Sequence, residues 1–211
     1  QNQSSAASDV YKRQIIGGIN LMVKPNKSQQ AKLDELRNLV IEIMTDMDVW
    51  QNHDLIPLFG LNLGVLRKNA TQRHGVTRWK QGVSKDQLTL ENIQTVELHP
   101  ELLHHQWGAY AAFVLHHEFI HALGFREHNT LFRSLEHSWP GIDAGDLGPK
   151  FTEYLRRKSA KWLWVCEGCK IEFPRKKSSN GGYKCRKCGT VLTDQKPVSY
   201  THLTLPTTGS V

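Results

Sequence analysis

The 211-residue chain has no long hydrophobic run. Its longest, at 109–115, ends at His116 and falls far short of the roughly 20 apolar residues of a helical membrane span. No stretch shows the basic, apolar, small-residue order of a secretory signal. Cysteine is scarce, with four residues, all between 166 and 188. So few, so tightly grouped, argue against a disulfide framework and for metal, and hence for a reducing, cytoplasmic compartment. Acidic residues are sparse in one region. Residues 150–197 hold 4 Asp and Glu against 13 Lys and Arg, a net of +9, whereas 15–149 hold 15 against 12, a net of −3. The whole-chain charge of +7 therefore belongs almost entirely to the last quarter, and an acidic partner is expected there. What is present suffices for a core: 39% hydrophobic and 22% charged residues are not the composition of a disordered chain.

The first methionine is Met22. The segment 4–14 (Ser-Ser-Ala-Ala-Ser-Asp-Val-Tyr-Lys-Arg-Gln) reads as a translated sequencing adapter, and 198–207 as its counterpart. Segments 1–14 and 198–211 are thus set aside. The rest divides into a domain at 15–148, a linker at 149–162 following a Pro/Gly/Asp-rich stretch (140–149), and a small module at 163–193. Leu33, Leu36, Val40, Ile43, Met44 and Met47 recur at helical spacing within 29–50, with Ser28 as the expected N-cap. Segments 61–67, 75–80 and 93–99 are short and partly alternating, and predict a small antiparallel sheet. Segment 108–123 predicts a helix stopped by Gly124, and 128–138 another. The fold class expected is α+β, with helices packed on the sheet.

The helix at 108–123 carries His117-Glu118-Phe119-Ile120-His121. Histidines at i and i+4 share a helical face and can bind one tetrahedral Zn²⁺. Glu118, about 100° around the helix, stands beside the metal, where it can take a proton from the attacking water as the catalytic base. The apolar flanks bury this helix, and burying two imidazoles and a carboxylate without partners costs several kcal/mol, which a metal removes. His116 points elsewhere and reads as structural. A catalytic site needs a third protein ligand and an open position. His128 is the nearest candidate after the helix stop at Gly124; Glu127 and His137 are rivals.

Cys166-x2-Cys169 and Cys185-x2-Cys188 are separated by 15 residues. Two such pairs form two knuckles around a closed, structural zinc site of four thiolates, the pattern of a zinc ribbon. Gly168 and Gly189 lend the knuckles a permissive backbone, and Val165, Ile171, Phe173 and Tyr183 are expected in its strands. So short a segment cannot build a sufficient core alone, and zinc folds it. Lys170, Arg175, Lys176, Lys177, Lys184, Arg186 and Lys187 make the module basic. Beside Trp162, Trp164 and Tyr183 they suit phosphate contacts with base stacking, so DNA is the expected partner.

His117-Glu-Phe-Ile-His-Ala followed by His128-Asn-Thr-Leu-Phe132 resembles the SprT-like (Spartan-type) metalloprotease pattern, HExxHA, a spacer, then HGxxF. Segment 95–103 is similar to that family's strand-then-turn, and 69–79 to its earlier hairpin. The chain departs from the pattern in Asn129, where Gly is usual, and in its short spacer. The resemblance spans about 30–140. It implies a zincin-like domain followed by a zinc ribbon, and proteolysis of proteins bound or crosslinked to DNA, in the cytoplasm or on the nucleoid. Two other classes remain: a non-catalytic DNA-binding or transcription-associated zinc protein, and a zinc peptidase unrelated to DNA.

Overall fold

A computed structural model describes residues 23–84, 89–141 and 144–197; both terminal segments set aside above lie outside them. Helix α1, Lys27–Asp46, starts at Asn26. The Asn26 Oδ1 accepts the Gln29 N–H at 2.8 Å, and the Gln29 side chain returns to the Asn26 N–H at 3.0 Å. This reciprocal capping box starts the helix at Asn26 and not at Ser28. Leu33, Val40, Ile41 and Met44 form its buried stripe.

Strands β1 (Leu63–Val65), β2 (Gly75–Trp79) and β3 (Ile93–Leu98) form one sheet in the order β1-β3-β2. The sheet is mixed, not purely antiparallel as expected. β2 pairs antiparallel with β3, but β1 pairs with it in parallel. The chain leaves β1, passes the central position, and returns through the β2–β3 hairpin, so β1 meets β3 running the same way. Helix α2, Gly108–Ala122, lies on this sheet with Ala111, Leu115, Phe119 and Ile120 among its buried residues. Each large apolar side chain so buried contributes about 1.5–3 kcal/mol. Helix α3 is Thr130–His137 and helix α4 Ala144–Ser159.

Helix α4 covers most of the segment read as a linker, 149–162. Phe151 and Leu155, at i and i+4, belong to the main core, and Lys158 pairs with Glu101. The same helix reaches the second sheet, β4 (Trp162–Val165), β5 (Glu172–Arg175) and β6 (Thr193–Gln195), where Arg157 pairs with Glu172 at 2.7 Å. That sheet is antiparallel, ordered β5-β4-β6. Ile171 and Tyr183, expected in strands, lie outside them. No helix among the described residues is long and apolar enough to cross a membrane.

Three histidines outside the sequence motifs are buried or half-buried, His74, His99 and His116, and two of them shape the pH response. The His74 Nδ1 lies 2.7 Å from the Tyr110 hydroxyl and its Nε2 lies 3.0 Å from the Thr152 hydroxyl, tying the residue before β2 to α2 and α4. Burial, and secondarily His99, push His74 down to about 4. His116 packs between Trp50 and Trp139 and is pushed to about 3, chiefly by burial. Both take up a proton more readily unfolded than folded. The stability they contribute is therefore full above roughly pH 6.5 and is lost as pH falls toward these lowered values. Urea unfolding between pH 7 and 4 should show stability falling with pH, and His74→Gln should flatten that slope. An unchanged slope in the variant would refute the assignment.

Candidate metal centres

The α2 C-terminus explains the first site. The Gly124 N–H donates to the His121 carbonyl and the Phe125 N–H to the Ile120 carbonyl, a Schellman motif. Gly124 has φ +101°, a conformation that suits glycine. The reversal brings the Phe125 carbonyl back to His121, 2.8 Å from its Nδ1, and carries His128 over the helix end. Asn129 then caps α3 by accepting the Phe132 N–H at 3.0 Å, the local role of the residue that departs from the SprT-like pattern.

Three imidazoles converge. The His128 Nε2 lies 3.1 Å from the His121 Nε2 and 3.2 Å from the His117 Nε2. Glu136 on α3 meets the His117 Nδ1 at 2.7 Å and also accepts from Arg133. Burial would raise its carboxyl, but these hydrogen bonds outweigh it and hold it at about 2. A carboxylate and a carbonyl only accept. His117 and His121 must therefore carry their protons on Nδ1, which leaves both Nε2 atoms as lone pairs facing one point. Burial, as the largest cause, lowers His121 to about 4 and lowers His128 as well, so both favour the neutral, metal-binding form. Nitrogens held at 2.0–2.1 Å by one tetrahedral ion stand about 3.3–3.4 Å apart, close to the spacing seen here. The donor set fits a metal ion with three protein ligands.

Phe132 underlies the cluster. Its buried ring lies 4.9, 4.7 and 4.6 Å, centroid to centroid, from His117, His121 and His128. His128 is exposed while His117 and His121 are partly buried, so the cluster meets solvent on the His128 side. Glu118 points off this face and is buried. Burial raises its proton affinity, against the effects of His117 and of a Thr77 hydrogen bond. Of the rival ligands, Glu127 is absent from the converging donors, and His137 instead hydrogen-bonds the Arg133 carbonyl at 2.6 Å. Tyr110 is engaged by His74, as described.

The second cluster is Cys166, Cys169, Cys185 and Cys188, whose sulfurs lie within 4.8 Å of one another. Sulfurs bound at 2.3 Å to one tetrahedral ion stand about 3.8 Å apart, so this set also fits a metal. Its two halves repeat one geometry. Lys170 N–H donates to the Cys166 carbonyl and Gly189 N–H to the Cys185 carbonyl; Cys166 N–H donates to Ile171 and Cys185 N–H to Thr190. The left-handed residue of each knuckle is Lys170 (φ +57°) or Gly189 (φ +76°). Gly168, expected in that role, instead makes room: a Cβ there would come within 3.0 Å of the Thr190 hydroxyl. With Leu192, the buried Cys166 and Cys185 form a hydrophobic cluster of their own.

The basic residues divide. Lys170 pairs with Glu167 at 2.8 Å. Lys176, Lys177, Lys184, Arg186 and Lys187 are exposed. Arg175 lies 5.1 Å from the centroid of the Trp164 ring, on which Tyr183 stacks at 4.4 Å. Lys196, which the motif spacing passed over, sits 3.5 Å over Trp162. Trp162 and Trp164 alternate with buried Leu163 and Val165 along β4, so cations and aromatic rings share one sheet face. Asp194, on β6, is taken up by the Ser179 and Asn180 amides.

No family model, curated protein or solved structure matches the chain. The site therefore stands on its own geometry. Glu136 escaped sequence reading because it lies 19 residues from its partner His117; the four-residue step from Phe132 was the only signal. His128→Ala should empty the histidine site of metal, measured by elemental analysis of the purified protein, while Glu127→Gln and His137→Ala retain it. Glu136→Gln should weaken metal affinity about 10–100-fold. Retention by His128→Ala with loss in either rival would reassign the third ligand.

Proposed function

We propose that this is a zinc-dependent endopeptidase of SprT-like type whose zinc ribbon, 163–193, binds DNA, and that it cleaves proteins bound or crosslinked to DNA. The observation carrying the peptidase reading is three imidazole Nε2 atoms converging on one point beside the exposed His128, with a buried carboxylate on the adjacent helical position. Three nitrogens with an open place suit a catalytic zinc, and four thiolates a closed structural one.

When bound, the catalytic zinc supplies Lewis acidity toward a scissile carbonyl and toward water. The rest belongs to the chain. His117, His121 and His128 hold the metal through Nε2. Glu136 and the Phe125 carbonyl lock two of these rings from behind. The Glu118 carboxylate takes the proton of the attacking water and returns it to the leaving amine.

DNA binding is supported by the charge division and by the cationic, aromatic face of the β4 sheet. Arg175 to Lys177 and Lys184 to Lys187 would meet phosphates, which carry no sequence information. Trp164 and Tyr183 would stack on unpaired bases. Holding DNA on the ribbon raises the local concentration of attached protein at the peptidase site.

Zinc content and cleavage of casein or histone, with and without DNA, test the reading. Glu118→Gln should keep its zinc and lose about 10²–10⁴-fold in cleavage rate; zinc loss would make Glu118 a ligand and overturn the roles. Replacing Arg175, Lys176 and Lys177 with Gln should lower the slope of log DNA affinity against log salt by roughly 2–3. An unchanged slope would place DNA elsewhere, and cleavage indifferent to DNA would leave a peptidase with no DNA function.

A further inference from the structure

We infer that strand β2 positions the general base, Thr77 by a hydrogen bond and Gly75 by its missing side chain. This inference rests on the peptidase reading. Glu118 has three rotatable side-chain bonds, and a base that wanders among rotamers would seldom meet its proton. Two contacts from one strand remove that freedom. The Thr77 hydroxyl lies 2.8 Å from the Glu118 Oε2 and 3.1 Å from the Glu118 backbone carbonyl. A hydroxyl has one hydrogen to donate, and both acceptors within its reach belong to the same residue. Oε2 is thereby held against β2, and Oε1 is left to exchange the proton.

Gly75 governs the space around Oε1. A Cβ at position 75 would stand 2.7 Å from the Glu118 Oε1, 2.9 Å from its Cγ and 2.8 Å from the Val114 Cγ1. The φ of Gly75 is not in the left-handed region, so the glycine serves clearance and not backbone freedom. Gly75 and Thr77 oppose Leu98 and Val96 in the register of β3. Being two apart, they share the sheet face that meets α2. Gly-x-Thr on this strand is therefore a unit: one residue grips an oxygen and the other clears the second.

A rival account is that Thr77 only pins helix to sheet. Kinetics of the zinc-loaded full chain separate the two. Thr77→Val keeps the shape and removes the donor. It should lower kcat about 10–100-fold, the usual scale for residues that orient a metal site's chemistry, with KM and zinc affinity, the latter by chelator competition, within about twofold. Thr77→Ser should restore kcat. Gly75→Ala should lower kcat in the same way without touching the hydroxyl, so a folding failure of one variant leaves the other to decide. Crystal structures of the variants should show the Glu118 carboxylate displaced. Native kcat in Thr77→Val, zinc loss from it, or an unmoved carboxylate in both variants would overturn the inference. If the native protein binds zinc and cleaves nothing, the peptidase reading fails, and the carboxylate position still decides whether β2 holds it.

Discussion

Three imidazole Nε2 atoms directed at one point are the constraint around which the larger unit is arranged. Nε2 lone pairs repel in that geometry unless a cation or a proton lies between them, and His117 and His121 cannot relieve it by changing tautomer. The Nδ1 protons of His117 and His121 are held by the Glu136 carboxylate and the Phe125 carbonyl. Each holder depends on further structure. The Phe125 carbonyl arrives through the left-handed turn at Gly124, and Glu136 arrives on a short helix capped by Asn129. The Phe132 ring then limits where the three imidazoles can go. The arrangement that could hold a metal is thus distributed over a helix end, a turn and a second helix, and not confined to the donor atoms.

The smaller unit solves a different problem. Too few apolar side chains are available for a core, and two of its buried residues are the cysteines Cys166 and Cys185. Bound to a metal, the four-cysteine cluster would take the place of a core. Trp164 and Phe173 pack only partly buried against this cluster, and Trp162, Arg175 and Lys196 lie beside them without being buried. Helix α4 joins the units through contacts at both ends, with Phe151 and Leu155 in the main core and Arg157 on Glu172 of β5. A charge-rich stretch that reads as a linker is helical because its few apolar residues fall on one face.

Much of the site was legible in the amino-acid sequence because its chemistry is local. An i, i+4 histidine pair on an apolar helix, a glycine two residues after it, and paired cysteines at knuckle spacing each lie within a few turns of chain. Those features determined the helix, its stop, the candidate donors His117, His121 and His128, and the four-thiolate set. Composition likewise located the basic module. Tertiary structure alone decided what depends on residues meeting across the fold. It made the sheet mixed, since β1 and β2 pair with opposite edges of β3 in opposite directions, which alternation within a strand does not specify. It excluded Glu127 from the converging donors, because the turn after Gly124 aims His128 inward. It brought Glu136, Thr77 and Gly75 to the histidines and to Glu118 from 19 to 43 positions away. No periodicity connects such residues; only the packing of α3 and β2 against α2 does.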